Sequence, residues 1–236
     1  MSCGGLAASA RPESPQRNID RRCMILCALA ATWLCATVAG MNILFHYETT
    51  PADVAGAPAR WPERSRLPRS PKHNALIMFA HPDCPCSRAS IGELAEILAR
   101  LDRPLTAAVV FFKPHDHGDH RLAGQDWAST ELWRRAAEIP GVTVIADGDG
   151  RESSLFKASV SGQTLLYDLN GALRFHGGIT ISRGHSGDNA GRAAIIELVN
   201  TGYAPRTGAP AFGCALQNPA ATVLLATPAW KKDEPK

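Results

Sequence analysis

Apolar and polar positions along the middle of this chain switch between two periods. Leu76-Ile77-Met78-Phe79-Ala80 is an unbroken apolar run, the pattern of a strand buried on both faces. Behind it Ile91, Leu94, Ile97, Leu98 and Leu101 recur at helical spacing, which predicts a helix over residues 90–101. A second buried strand is predicted at 105–112. A helix over 129–139 comes next, capped by Ser129 or Thr130 and stopped by Pro140. Residues 142–146 predict another strand and 152–157 a short helix. Segments 164–168 and 173–176 flank Asn170-Gly171, a dipeptide that favours a tight hairpin. Ile195, Ile196 and Val199 place a last helix over 190–200. The order β-α-β-α-β-α-β-β-α predicts an α/β fold, a mixed sheet flanked by helices on both faces.

The longest apolar stretch lies outside this alternation. Met24 to Phe45 carries no charged residue. As a helix it would span roughly 33 Å, enough for the core of a bilayer. Arg11, Arg17, Arg21 and Arg22 precede it, and a basic flank belongs on the cytoplasmic side, which exports the rest of the chain. A cleavable signal peptide ending at Thr37-Val38-Ala39 is the rival reading. The apolar run continues through Ile43, Leu44 and Phe45, and this favours an uncleaved anchor. The chain therefore divides into a short basic segment (1–23), a transmembrane signal-anchor (24–45), a flexible Pro- and Arg-rich linker (46–72), a folded domain (73–202) and a Pro/Ala-rich tail (203–236). That tail reads as an ordered wrap at first and frayed later.

Composition adds little to this division. The chain has 236 residues, 45% hydrophobic and 20% charged, which suits one ordinary domain with extensions. A net charge of +3, spread rather than massed, gives no basis for nucleic-acid binding. Cysteine usage is more informative. Of seven cysteines, Cys3, Cys23, Cys27 and Cys35 precede or lie within the apolar run and read as tolerated small residues. Cys84, Cys86 and Cys214 remain in the exported part. Disulfides are permitted there, and an odd count leaves one thiol free or engaged with a partner or metal.

Two of those cysteines sit in His81-Pro82-Asp83-Cys84-Pro85-Cys86-Ser87-Arg88, between a buried strand and a helix start. Free amides and the helix dipole stabilise a thiolate at such a junction. Bridging Cys84 to Cys86 is awkward, because side chains two apart on a helix point to nearly opposite sides. The ring closes only if Cys84 lies ahead of the helix, and strain in it raises the reduction potential. A metal site is the main rival: Cys84 and Cys86 with His81 and His176 would suit copper or zinc. Weaker signals read as ordinary loops and turns. They are His115 to His120, the Asp147-Gly148-Asp149-Gly150 run with a calcium-loop flavour, and Gly184, Gly187 and Gly191 as an anion cradle. The glycines match neither nucleotide fingerprint, so no nucleotide is expected.

Strand, cysteine motif, long helix, then a terminal hairpin and helix together resemble the thioredoxin fold over about residues 73–202. The His81 to Ser90 segment, Gly177-Gly178-Ile179-Thr180, Arg183-Gly184-His185, Gly187 to Arg192 and Phe212-Gly213-Cys214 more closely resemble the RedB-like bacterial membrane-anchored thioredoxin-fold proteins. The resemblance implies a single-pass protein of the bacterial inner membrane, its domain facing the periplasm and exchanging with protein thiols or disulfides without a cofactor. It departs from ordinary thioredoxins twice. One residue rather than two separates the cysteines, so that counting from Ala80 puts Asp83 at the usual first cysteine and Cys86 at the second. Ser161-Gly162-Gln163 stands where a cis-proline is expected. On this reading Cys84 is the nucleophile, Cys86 resolves the mixed disulfide and Cys214 is a second resolver. Arg88 favours the thiolate and Asp83 handles a proton. A non-catalytic binding module on the same fold is the remaining alternative.

Overall fold

The computed structural model describes residues 15–54, 56–113 and 130–216, with side chains from residue 21 onward. Helix α1 (Pro15–Thr49) runs without a break. Within it Arg21–Thr49 reaches a mean hydropathy of 2.0 and is long and apolar enough to cross a membrane. Met24, Leu29, Trp33, Val38 and Phe45 all present their side chains outward. The hydroxyls of Thr32 and Thr37 donate to the carbonyls of Ala28 and Trp33, each at 2.9 Å, so the helix satisfies its own polar groups.

The remaining described chain builds one sheet. Its strands are β1 (Asn74–Ala80), β2 (Leu105–Lys113), β3 (Val142–Gly148), β4 (Gln163–Tyr167), β5 (Leu173–Gly177) and β6 (Gly208–Ala209). The spatial order is β3-β2-β1-β4-β5-β6. β1, β2 and β3 are parallel, while β4 runs antiparallel to both β1 and β5. Helices α2 (Cys86–Ala99), α3 (Glu131–Ala137), α4 (Arg151–Leu155) and α5 (Ala190–Thr201) connect or follow the strands.

Alternation along the strands sorts side chains between two cores. Leu76, Met78 and Ala80 of β1 face one way, with Val109, Phe111, Leu166 and Phe175. There they meet Ile91, Leu94 and Ile97 of α2, Leu132 of α3 and Ile195 and Leu198 of α5. Ile77, Phe79, Val110, Leu165 and Tyr167 face the other way, onto Phe156, Leu67 and Leu216. Both sides of β1 are filled, which is why its sequence reads as a continuous apolar run rather than an alternating one.

The second face departs from the expected arrangement. Apart from α4 it is covered by irregular chain from the stretch 46–72, read from sequence as a flexible linker. Trp61 packs edge-on against Phe156 and Tyr167, with ring centroids 5.1 and 5.4 Å away. Buried Glu152 accepts hydrogen bonds from Ser65 Oγ at 2.7 Å and from the Arg66 amide at 3.0 Å. Arg60 also bridges to Ala172. Composition suggested a linker because this segment has no period. Its order comes instead from contacts with residues some ninety positions away. Past residue 202, β6 extends the sheet and Val160 bridges to Ala215. The tail beyond 216 and the histidines at 115, 117 and 120 lie outside the described residues.

The weaker glycine and aspartate signals have structural roles. Asp147 is buried and accepts from the amides of Glu152 and Ser153 at 2.8 and 2.9 Å, capping α4. A Cβ on Gly191 would stand 2.0 Å from the Gly178 carbonyl oxygen, so that glycine serves close packing and not an anion. The Gly187 amide donates to Glu93 of α2 at 2.8 Å. Arg192 of α5 reaches the same carboxylate at 2.6 Å, a buried ion pair that ties the two helices.

Candidate functional site

Helix α2 begins at Cys86, earlier than the apolar periodicity predicts, because Pro85 already holds helical angles (φ −62°, ψ −26°) as its N-cap. Cys84 therefore precedes the helix. The head of α2 has no side-chain cap, and its first amide, that of Cys86, favours the Cys84 thiolate. The Cys214 amide, the Cys214 thiol and the Ser87 hydroxyl are further donors that favour the Cys84 thiolate.

Behind Ser87 stands a second hydroxyl. Ser87 Oγ lies 2.6 Å from Ser161 Oγ, and Ser161 Oγ accepts from the His81 amide at 2.8 Å. Either hydroxyl can donate in the bond between them. The His81 amide and the two hydroxyls thus form a buried hydrogen-bonded chain beside Cys84. Ser161 occupies the stretch where a cis-proline was expected; the structure has no cis peptide there or elsewhere among the described residues.

Cys214 arrives from the far end of the domain. The Ser161 amide donates to the Cys214 carbonyl at 2.8 Å and the Leu216 amide to Ser159 at 2.9 Å. Gly213 permits this approach, since a Cβ there would stand 1.9 Å from the Ser161 carbonyl oxygen. Arg183 donates to the Gly213 carbonyl from the other side. The Sγ atoms of Cys84, Cys86 and Cys214 all lie within 4.8 Å of one another.

The three thiols differ electrostatically. Burial is the largest influence on Cys84 and by itself raises its pKa, but the converging donors outweigh it and hold the thiol below its ordinary value. Burial pushes Cys86 up, and the neighbouring Cys84 charge adds to this, while Arg183 opposes it. Burial and the bonds to Cys84 push Cys214 up to about 12. Ionisation is therefore favoured at Cys84 over Cys86 and Cys214.

Several expected roles fall differently. Cys84, the proposed nucleophile, is buried, 3% exposed, while Cys86 and Cys214 are partly exposed. Arg88 turns away to an exposed ion pair with Glu131 at 2.8 Å, and the cation acting on the cysteines is Arg183. Asp83 is exposed, and its amide donates to His81 Nδ1 at 3.2 Å. His81 stacks on Phe112 and has its pKa lowered by burial. His176 is exposed on β5. Among the described residues the metal-capable group comprises the three cysteines alone, without His81 or His176. Ser87, Ser161 and Arg183 were not singled out from sequence. The missing proline at 161–163 was the one local sign that the loop had been rebuilt.

No family model matches the chain. Among solved structures it is similar to an uncharacterized conserved protein from Geobacillus kaustophilus. That match has 14% identity and a TM-score of 0.50, covering 72% of this chain and 92% of that one. A hypothetical protein from Sinorhizobium meliloti 1021 matches at 21% identity and a TM-score of 0.43, covering 61% and 78% of the two chains. A secreted Mycobacterium tuberculosis disulfide oxidoreductase homologous to E. coli DsbE matches at 16% and 0.33, covering 43% and 66%. The domain has a thioredoxin-like fold. Its parallel β1-α2-β2 unit and antiparallel β4-β5 hairpin followed by α5 supply that arrangement, with β3 and β6 at the two edges. By sequence, 104 residues are 36% identical to a UDP-N-acetylmuramoylalanine--D-glutamate ligase of Frankia casuarinae, covering 42% of this chain. The chain spans about a fifth (21%) of that protein's length.

Proposed function

We propose that this protein is a membrane-anchored, extracytoplasmic thiol–disulfide exchange protein of the RedB-like kind, with Cys84 as its nucleophile. The observation that carries the reading is the convergence of four donors on Cys84 Sγ with two further thiols within 4.8 Å. The Cys84 thiolate attacks one sulfur of a partner disulfide, forming a mixed disulfide and releasing the other sulfur as a thiolate. The thiol of Cys86 or Cys214 then loses its proton and attacks Cys84 Sγ. An intramolecular disulfide forms, the partner leaves as a dithiol, and two electrons have passed to it. The reverse sequence oxidises a partner dithiol.

Arg183 assists the second step, since its charge favours the thiolate of Cys86. A depression of about 360 Å³ beside the motif, lined by Pro82, Asp83, Pro85, Arg88, Glu131 and Leu132, offers a partner chain a place to lie. Helix α1 serves as the anchor and no cofactor is required.

Equilibration of the full chain with glutathione buffers, followed by thiol trapping and mass spectrometry, tests the reading. One redox-active disulfide including Cys84 is expected, more oxidising than thioredoxin at about −270 mV. Exchange that persists undiminished in Cys84→Ser would refute the assignment.

A further inference from the structure

We propose that Cys84, Cys86 and Cys214 also form a trigonal site for Cu(I), bound through three thiolates in the reduced protein. A two-electron exchange cycle needs only two sulfurs, yet the third is held in place from several directions. The Ser161 amide bonds the Cys214 carbonyl at 2.8 Å, Val160 bridges to Ala215, and the Leu216 amide bonds Ser159 at 2.9 Å. Arg183 holds the Gly213 carbonyl. Gly213 is pressed so closely on Ser161 that no side chain fits there. These contacts present the third sulfur to the other two independently of the motif around Cys84.

The donor set indicates the ion. Three thiolates with no imidazole or carboxylate select soft, thiophilic metals. Structural zinc closes a tetrahedron, and among the described residues the group stops at three ligands. Cu(I) accepts a trigonal set. With metal–sulfur bonds of about 2.3 Å, a planar trigonal site places its sulfurs about 4 Å apart. The present spacing, within 4.8 Å, therefore needs a contraction of less than about 1 Å.

The excess negative charge of such a site is met by Arg183 near Cys86 and by the amides of Cys86 and Cys214 aimed at Cys84 Sγ. Cys86 and Cys214 are partly exposed, so the ion reaches the site from solvent. Binding forms three Cu–S bonds with no change of oxidation state; Cys86 and Cys214 each give up the proton of an S–H bond, and Cys84 gives one up only where it is still protonated. Joining any two of the thiols as a disulfide removes the site. The inference shares its sulfurs with the exchange reading but does not rest on turnover.

The test uses the full chain in detergent, reduced and without oxygen, with Cys3, Cys23, Cys27 and Cys35 replaced by Ala so that three thiols remain. Cu(I), supplied as its acetonitrile complex, is titrated against a chromophoric chelator. One Cu(I) per chain and three sulfur scatterers in X-ray absorption are expected. Cys214→Ser should weaken binding by more than about 100-fold, beyond the loss usual for a group that only supports a ligand. Two-sulfur coordination with binding indifferent to Cys214→Ser would overturn the proposal. So would a chain that takes up Zn²⁺ but leaves Cu(I) with the chelator, or one that binds neither. If Cys214→Ser loses its fold, the sulfur count in the parent protein decides. Exchange is assayed on metal-free protein, so either reading can fail alone.

Discussion

Cys84 is the most buried of the three clustered thiols, and burial by itself works against its ionisation. What favours its thiolate is the set of donors that folding aims at the sulfur. Ser87→Ala removes one of them. A hydrogen bond to a charged group contributes about 1.5–3 kcal/mol, so the Cys84 pKa should rise by about one to two units. Alkylation rate against pH, with the label located by mass spectrometry, reads this directly. In the same assay Cys86→Ser, which keeps Cys84, should react faster at pH 6 than Cys84→Ser; the opposite order would make Cys86 the nucleophile. Cys214 has the opposite linkage. Its folded pKa of about 12 lies above an ordinary 9, so between those values the unfolded chain has lost the proton that the folded chain retains. Its contribution to stability is complete below pH 9 and lost as pH rises through about 12. Urea midpoints of the parent should therefore fall over that range more steeply than those of Cys214→Ser.

Two elements hold the site together, and each can be tested through one residue. The first is the strap from β6 to Leu216, which carries Cys214. Gly213→Ala drives a methyl into the Ser161 carbonyl, so the strap must lift. The expected outcome is a variant that still forms disulfides between Cys84 and Cys86 but none with Cys214, seen by peptide mapping after oxidation. The second is the link from α2 to α5 through Glu93 and Arg192. Their side chains are 2% and 9% exposed. Removing one partner strands a buried charge, and Arg192→Met should cost about 3–5 kcal/mol in denaturant unfolding. Replacing both partners with apolar residues should recover much of that loss. Additive losses in the double variant would contradict a coupled pair.

At the scale of the whole molecule the long apolar helix, on the proposed reading, decides where the chemistry takes place. An alkaline phosphatase fused after Lys236 should be active, as expected of an exported domain behind an uncleaved anchor. A mature protein beginning at Gly40, or a reporter active only in the cytoplasm, would contradict the anchor.

Apolar period by itself placed β1 to β5 and α2 to α5 in their order along the chain, because burial on one or two faces is written into neighbouring residues. The run at 76–80 had to be a central strand, and Asn170-Gly171 had to turn. Thr130 capping α3 and Asn189 capping α5 were equally local, each accepting an amide three residues on. Cys84, Cys86 and Cys214 were likewise visible as the reactive candidates. Their meeting was not. Cys214 reaches Cys84 only because Gly213 lets one backbone touch another, and Ser161 bonds Ser87 across 74 residues of chain. Arg183 rather than Arg88 became the cation of the site because Glu131 claims Arg88 from the head of α3. Period and spacing report what each residue demands of its neighbours. Only the packed sheet, which brings distant loops to the head of α2, decided which groups surround the sulfur.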